Sequence, residues 1–238
     1  MDFSSAFGFN GPNTILELFF LRRSSMGQTI WLCSVDIVLF DFGGVLAEEG
    51  FANGLREIGK LNGFDPGEFF ETGRRLVHET GYVTGSGGEA AYWDALRRKT
   101  GIKQDDEFLR NEILSRFVPR PWMLEMARRI KKAGIKIGIL SDQTNWLDEL
   151  NARYDFFREF DVVFNSYHTG QSKRDPAWFI DVASILKLEP GRILFIDDNA
   201  GNCARARQSG MKTIHYMDRS SFSDQIAFYC PLIPPGES

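Results

Sequence analysis

Short apolar runs alternate along the chain with segments whose apolar residues recur at helical spacing. The runs are four to six residues long, and three of them stop at an acidic or hydroxyl residue; they cover 35–40, 135–140, 161–164, 192–196 and 212–216. Helical segments between them cover 122–132, 176–186 and 200–209. Runs of this length are typical of buried strands. Their alternation with helices predicts an α/β fold built on a doubly wound, Rossmann-like parallel sheet.

Residues 50–119 interrupt the alternation, because they contain no apolar run typical of a strand. Four helices are predicted there, over 51–61, 66–79, 89–100 and 105–117, and the glycine-rich stretch 81–88 is predicted to be a loop between two of them. The chain leaves the core after the first strand and returns before the second. We therefore expect 50–119 to form an α-helical cap, inserted into a core of 31–49 and 120–238, that excludes water from a pocket at the sheet edge.

The first 30 residues are predicted to be a poorly ordered extension of the core. Their apolar run, 15–21, contains Glu17 and is followed by the basic pair Arg22 and Arg23. That charge order is the reverse of the order in a signal peptide. The run is also far shorter than the roughly 20 apolar residues that a membrane span needs.

Composition and charge narrow the possible partners. The chain has 238 residues, 43% of them apolar, which is enough for a sizeable core. Its formal net charge is -4, so a nucleic acid or an anionic membrane is not expected as a partner. Three cysteines, Cys33, Cys203 and Cys230, are too widely spaced to form a metal or redox motif. This usage indicates a reducing compartment, and we expect a cytoplasmic protein.

Polar side chains stand at the ends of several predicted strands. Asp41, Ser141 and the pair Asp197 and Asp198 each follow an apolar run, and Lys173 precedes a helix after the third run. In a parallel sheet these ends lie along one edge, where ligands bind. Converging carboxylates form a site for a hard cation such as Mg²⁺. With a lysine and a hydroxyl beside them, they predict a phosphate site in which one carboxylate is free to attack.

The order and spacing of these residues resemble the haloacid dehalogenase (HAD) superfamily of hydrolases. Asp41 matches the nucleophile of that family, Ser141 the hydroxyl of its second motif, Lys173 its third-motif lysine, and Asp197 with Asp198 its acidic pair. The insert resembles the helical cap of subfamily I, in the branch of the phosphoglucomutase-like enzymes and the amino-terminal phosphatase domain of epoxide hydrolase. The resemblance implies catalytic roles for Asp41, Ser141 and Lys173.

The resemblance also implies a set of ligands. Mg²⁺ would be bound directly by Asp41 and Asp198, by Asp197 directly or through water, and by the backbone carbonyl of Gly43. The phosphate of a small phosphorylated substrate would be bound by Ser141, Lys173 and the backbone N–H of Asp142.

Two positions depart from the family pattern. Gly43 stands where family phosphatases usually carry a second Asp, which protonates the leaving group and contributes about 10² to 10⁴-fold in rate. Its absence predicts a weakened enzyme, or one restricted to good leaving groups such as acyl phosphates or anomeric sugar phosphates. Glu48, Glu49 or a residue of the insert are alternative proton donors. Asp142 replaces an Asn that often follows the second-motif hydroxyl, and its carboxylate would be unwelcome beside a phosphate.

Three function classes remain open at this point. The first is a Mg²⁺-dependent phosphatase with an aspartyl-phosphate intermediate, the second a carbon–halogen hydrolase that needs neither metal nor acid, and the third a non-catalytic protein that binds a phosphorylated ligand. The adjacent carboxylates of Asp197 and Asp198 favour the first, since they would repel Asp41 without a cation. Four aromatic residues are candidates for the pocket wall, although such residues are more often core: Phe42, Phe51, Tyr82 and Trp93.

Overall fold

The five apolar runs form the strands of one parallel sheet. The computed structural model describes residues 21–23, 29–31 and 33–231. Seven strands are described: β1 (Leu21–Arg23), β2 (Thr29–Trp31), β3 (Ile37–Phe40), β4 (Lys136–Ser141), β5 (Val162–Asn165), β6 (Ile193–Asp197) and β7 (Lys212–His215). The five apolar runs correspond to β3–β7. The sheet has the order β5-β4-β3-β6-β7, and every neighbouring pair is parallel. The predicted fold class is confirmed, with the first predicted strand, β3, at the centre.

Helices cover both faces of this sheet. Their bounds are α1 (Gly50–Leu61), α2 (Pro66–Glu79), α3 (Glu89–Thr100), α4 (Asp106–Leu114), α5 (Pro121–Lys132), α6 (Trp146–Tyr154), α7 (Ser166–Thr169), α8 (Pro176–Leu186), α9 (Ala200–Gln208) and α10 (Arg219–Tyr229). Alternate residues of β3 point into two separate apolar cores: Val38 and Phe40 into one, Ile37 and Leu39 into the other. Burial on both faces explains why the strands are continuous apolar runs.

Residues 50–119 contain helices and turns but no strand, and we call them the helical insert. Three of its four α-helices, α1, α2 and α4, begin at acidic caps. The Asp65 carboxylate, for example, accepts a hydrogen bond from the backbone N–H of Glu68, and Pro66 follows at the first helical position. The glycine-rich stretch is a loop with one short helical turn, flanked by Gly81 and Gly85, both with positive φ. That the insert is a separate domain stays a prediction.

The two chain segments that join the insert to the core lie side by side. Ala47 pairs with Pro119 in an antiparallel bridge. The backbone N–H of Glu48 donates to the carbonyl of Val118 at 2.8 Å, and the N–H of Arg120 donates to the carbonyl of Leu46 at 2.8 Å. We call this pair of segments, 46–48 and 118–120, the neck. It places the start of α1 directly beside the carboxyl end of β3.

The amino-terminal residues contribute a small element of their own. β1 and β2 pair antiparallel, with Leu21 opposite Trp31. The rest of the predicted extension, with most of its apolar run, lies outside the described residues. Across 21–23, 29–31 and 33–231, no helix combines the length and apolarity that crossing a bilayer requires.

Candidate active site

Four of the predicted site residues meet at the carboxyl edge of the sheet. Ser141, the last residue of β4, donates a hydrogen bond from its Oγ to Asp41 Oδ1 at 2.6 Å. Lys173 Nζ lies 2.7 Å from Asp41 Oδ2 and 2.6 Å from Asp197 Oδ2. A chain of direct contacts therefore links the ends of β3, β4 and β6 to the loop after β5.

Lys173 is buried, with 1% of its surface exposed, although lysine is almost never buried without a partner. Burial by itself would lower the pKa of this ammonium group, but the carboxylates of Asp197 and Asp41 outweigh burial and raise that pKa. Lys173 is therefore a fixed positive charge between two strand ends.

Asp41 is held in one orientation by donors on both oxygens. Besides Ser141 and Lys173, the backbone N–H of Phe42 donates to Asp41 Oδ1 at 2.7 Å. Burial raises the pKa of Asp41, and the Lys173 ammonium opposes this effect. One carboxylate oxygen of Asp41 thus faces the lysine and the other faces the serine.

Asp197 is fully buried and accepts hydrogen bonds from the loop and helix that follow it. The backbone N–H of Asn199 donates to Asp197 Oδ1 at 2.7 Å, and Asn202 Nδ2 donates to both oxygens at 3.1 and 3.2 Å. Asn202 lies in the first turn of α9, which returns the side chain to the sheet edge. Sequence reasoning missed Asn202, and its position three residues after Asn199, the N-cap of α9, was the only available signal.

Asp198 packs against the turn that follows β3. Gly44 in that turn has φ of 79°, and a Cβ at this position would lie 2.1 Å from Asp198 Oδ2. Only glycine permits both this backbone conformation and this close approach. Burial raises the pKa of Asp198, and the Asp197 carboxylate raises it further.

The carboxylates of Asp41, Asp197 and Asp198 form a cluster that fits a hard divalent cation. Ligand oxygens from the three lie within 4.8 Å of one another. Three carboxylates beside the single ammonium of Lys173 leave an excess of two negative charges when all are ionised. Carboxylate oxygens are the donors that Mg²⁺ and Ca²⁺ prefer. The donor type, the spacing and the charge therefore all suit such an ion.

Asp142, predicted to contribute its backbone N–H to phosphate binding, has its side chain engaged elsewhere. Its carboxylate accepts hydrogen bonds from Ser172 Oγ at 2.7 Å and from the backbone N–H of Lys173 at 2.9 Å. The negative charge that seemed unwelcome beside a phosphate is thus used to fix the loop that carries Lys173. A contact across 30 residues of sequence could not be inferred from spacing.

The space beside Gly43 is filled by another carboxyl group. Unlike Gly44, Gly43 does not have positive φ, so its backbone does not require glycine. A Cβ at position 43 would lie 2.9 Å from Glu49 Oε2, 3.2 Å from the ring of Phe117 and 3.5 Å from Gln143 Nε2. Burial raises the pKa of Glu49. The Glu49 carboxyl group thus occupies space that a side chain at position 43 would need.

Glu48, the neighbouring alternative, is directed away from this space. Its carboxylate forms a two-pronged ion pair with Arg120, at 2.8 and 2.9 Å. This pairing, opposed by burial, lowers the pKa of Glu48. Arg120 also donates to the backbone carbonyl of Gly44, so it ties the turn after β3 to the neck.

A cavity of about 390 Å³ lies between this edge of the sheet and the helical insert. The core side contributes Asp41, Gly43, Asp142, Gln143, Thr144, Lys173, Asp198, Asn199 and Asn202, and the insert with its entry contributes Glu49, Phe51, Ala52, Arg56, Phe70, Arg74, Val77, His78 and Val83. Of the four aromatic candidates, only Phe51 lines the cavity. The other three are packed in the core.

Comparison with known proteins agrees with the geometry. A model of the haloacid dehalogenase-like hydrolase family matches residues 35–210. Bifunctional epoxide hydrolase 2 of Rattus norvegicus is 29% identical over 207 residues, which are 78% of this chain and 37% of that protein. N-acetylmuramic acid 6-phosphate phosphatase of Pseudomonas aeruginosa is 28% identical over 137 residues, 54% of this chain and 61% of that protein. The chain thus spans less than two thirds of the length of each of these relatives.

The fold is shared with solved structures. A HAD-family enzyme from Bacteroides thetaiotaomicron, crystallised with magnesium and inorganic phosphate, superposes with a TM-score of 0.61 at 20% identity, over 77% of this chain and 94% of that one. The family match covers most of the chain, from the strand before Asp41 to the helix after Asp198. This chain is a member of the haloacid dehalogenase-like hydrolase family.

Proposed function

We propose that this hydrolase is a Mg²⁺-dependent phosphatase that hydrolyses a small phosphorylated metabolite through an aspartyl-phosphate. The observation that carries the proposal is the setting of Asp41. Its carboxylate lines the cavity, lies between the donors Ser141 and Lys173, and belongs to the three-carboxylate cluster. The phosphatase among the similar proteins supports the same class of reaction.

In the first step a carboxylate oxygen of Asp41 attacks phosphorus, and the bond from phosphorus to the leaving oxygen breaks. Ser141 and Lys173 already contact this carboxylate, so a phosphoryl group placed over it meets a hydroxyl donor and an ammonium group. These groups stabilise charge on the phosphoryl oxygens. In the second step water attacks the phosphorus of the aspartyl-phosphate, which releases inorganic phosphate and restores the Asp41 carboxylate.

Asp41, Asp198 and the backbone carbonyl of Gly43 are the proposed Mg²⁺ ligands, with Asp197 binding directly or through water. The bound ion would neutralise negative charge on the phosphoryl group. Asp197 has a second duty in this scheme, because its carboxylate fixes the Lys173 ammonium at 2.6 Å.

The cavity limits the size of the substrate. A volume of about 390 Å³ is at the low end of the range of roughly 300–1,000 Å³ for small-molecule sites. A phosphate group and a short organic moiety fill such a space, whereas a macromolecule would have to present a projecting phosphate. The cytoplasmic location expected from the cysteine usage belongs to this proposal.

The carbon–halogen hydrolase and the non-catalytic binding protein are the competing functions. A dehalogenase needs one carboxylate nucleophile and no metal. In such an enzyme the additional carboxylates of Asp197 and Asp198 would only repel the nucleophilic carboxylate of Asp41. Their presence within 4.8 Å of Asp41 favours the metal-dependent phosphatase.

A panel of phosphorylated metabolites and one aryl phosphate, assayed with Mg²⁺ and with EDTA, tests the proposal. We expect phosphate release that requires Mg²⁺. Full activity in EDTA, with halide released from a 2-haloacid, would establish the dehalogenase instead. Binding of phosphorylated compounds without turnover would establish the non-catalytic protein.

A further inference from the structure

Gly43 has no side chain, but the carboxyl group of Glu49 lies beside it. Glu49 lines the same cavity as Asp41, and its Oε2 lies 2.9 Å from the point where a Cβ of residue 43 would stand. A carboxyl carbon is only one bond of about 1.5 Å from its Cβ. An Asp at position 43 and the Glu49 side chain would therefore compete for the same volume.

The local fold brings Glu49 to this place. The turn after β3 returns on itself, so that Gly43 and Ala47 form a bridge, and Ala47 then pairs with Pro119 in the neck. Gly50 allows α1 to begin tightly against Phe117, since a Cβ on Gly50 would lie 2.4 Å from that ring. Glu49 is held between these two contacts, at the entrance to the insert.

Helix capping places Glu49 Oε1 at the start of α1. Oε1 accepts a hydrogen bond from the backbone N–H of Ala52 at 2.9 Å, as an N-cap residue does. The usual capping residues, Ser, Thr, Asp and Asn, have shorter side chains, and Asp65 caps α2 in that way. The extra methylene of Glu49 carries Oε2 beyond the cap to the space beside Gly43.

We propose that Glu49 is the general acid and base of the reaction, in place of a carboxyl group at position 43. This assignment rests on the proposed phosphatase function. As the bond from phosphorus to the leaving oxygen breaks, that oxygen keeps the electron pair and takes the proton of the Glu49 carboxyl. Water then attacks the aspartyl-phosphate and gives a proton back to Glu49, while the electron pair of the breaking bond returns to the Asp41 carboxylate.

The assignment changes the expected substrates. Without a proton donor the enzyme would be restricted to esters whose leaving group is stable as an anion. With Glu49 in this role, alkyl phosphates become substrates as well. The leaving group is therefore the variable that the test must change.

The test compares hydrolysis of benzyl phosphate with hydrolysis of 4-nitrophenyl phosphate, both in Mg²⁺. Glu49→Gln keeps the size of the side chain and an oxygen for the capping bond, but it has no transferable proton. We expect kcat/KM of Glu49→Gln for benzyl phosphate to fall about 10² to 10⁴-fold. For 4-nitrophenyl phosphate, whose leaving group needs no proton, we expect a loss of less than about tenfold on the same grounds.

Asp65→Asn is the matched control, because the Asp65 carboxylate also caps a helix of the insert, whereas Asp65 itself does not line the cavity. It should leave both esters unchanged. If Glu49→Gln loses activity equally on both esters, or on neither, while the wild-type protein is active, Glu49 is a structural cap and the assignment is wrong. If the wild-type protein releases phosphate from neither ester, the phosphatase proposal itself falls, and the assignment falls with it.

An exchange of positions gives a second, independent measurement. Glu49→Ala empties the space beside Gly43, and the double variant Glu49→Ala with Gly43→Asp puts a carboxyl group back from the other side. We expect the double variant to recover benzyl phosphate hydrolysis by at least about tenfold over Glu49→Ala, a part of the full contribution of such a group. Equal activity of the two variants, both folded, would overturn the assignment.

Discussion

Replacing Lys173 by methionine removes the ammonium group that lies between Asp41 and Asp197 while keeping a side chain of similar length. The nitrogen lies 2.7 and 2.6 Å from the two carboxylates and is almost fully buried. Removing one partner of a buried ion pair typically costs about 3–5 kcal/mol, because the remaining charge is left uncompensated.

The structure sets a ceiling on this cost. In the variant Asp197 keeps its hydrogen bonds from Asn199 and Asn202, so its carboxylate can stay ionised. Asp41 is therefore the carboxylate that becomes protonated, and protonation removes its uncompensated buried charge. From an ordinary Asp pKa of 3.8, protonation at pH 7 costs about 1.4 kcal/mol for each pH unit, or about 4 kcal/mol. At pH 5 the same proton costs less than about 2 kcal/mol.

The pH dependence has a definite sign. The folded Lys173→Met variant holds a proton on Asp41 that the unfolded chain releases above the ordinary Asp pKa. Its free energy of unfolding therefore falls as the pH rises, by at most about 1.4 kcal/mol per pH unit. We expect a deficit against wild type of about 3–4 kcal/mol at pH 7 that closes to below about 2 kcal/mol at pH 5.

Urea unfolding in EDTA, at pH 5 and pH 7, measures both values. For a chain of this size the deficit at pH 7 corresponds to a shift of the midpoint by roughly 1–1.5 M urea. Lys103→Met, at an exposed loop position, is the control and should change stability by less than about 0.5 kcal/mol. A deficit under about 1 kcal/mol at pH 7, or one that does not change with pH, would refute the reasoning that Lys173 compensates an ionised Asp41.

Three further predictions concern the nucleophile, the metal and the turn after β3. Asp41→Asn should lower phosphate release by about 10⁴-fold or more, since an amide is a poor nucleophile, and it should abolish trapping of a beryllofluoride adduct; turnover close to wild type would contradict the mechanism. Asp198→Asn should raise the Mg²⁺ concentration for half-maximal activity by about tenfold or more, with an unfolding midpoint in EDTA no lower than that of the wild-type protein, since it removes a charge that the neighbouring Asp197 carboxylate repels; an unchanged Mg²⁺ titration would exclude this ligand. Gly44→Ala should cost about 1–3 kcal/mol in stability and displace the Asp198 carboxylate, whereas Gly88→Ala, with open space around it, should not; equal effects of the two substitutions would refute the steric argument.

The sheet could be predicted from the sequence because burial on both faces demands continuous apolar runs. The observed strand ends differ from the predicted ones by at most two residues, and α2, α3 and α8 have the predicted bounds. Three helices were missed: α6, α10 and the four-residue α7. α6 has only nine residues, and α10 buries only Phe222 and Ile226, so neither offers a long apolar stripe.

Part of the candidate site could be predicted from the sequence, and part of it could not. Asp41, Ser141 and Asp197 could be placed together because parallel strands deliver their carboxyl ends to one edge. The part played by Asp142 depends on a hydrogen bond to the loop of Lys173, and that of Glu49 on the return of the turn after β3. Both contacts follow from loop geometry, which periodicity does not encode.

The neck also affects how the chain folds. β3 pairs with β4 between residues that are about 100 positions apart, and such distant pairings slow folding because a long loop must close first. Once the insert has formed its own local contacts, the bridge between Ala47 and Pro119 shortens the effective loop to roughly 25 residues. This lowers the closure cost by about 1 kcal/mol. We therefore expect the insert to act as a folding aid for the central strand pair, so that 70 additional residues delay the assembly of the sheet very little.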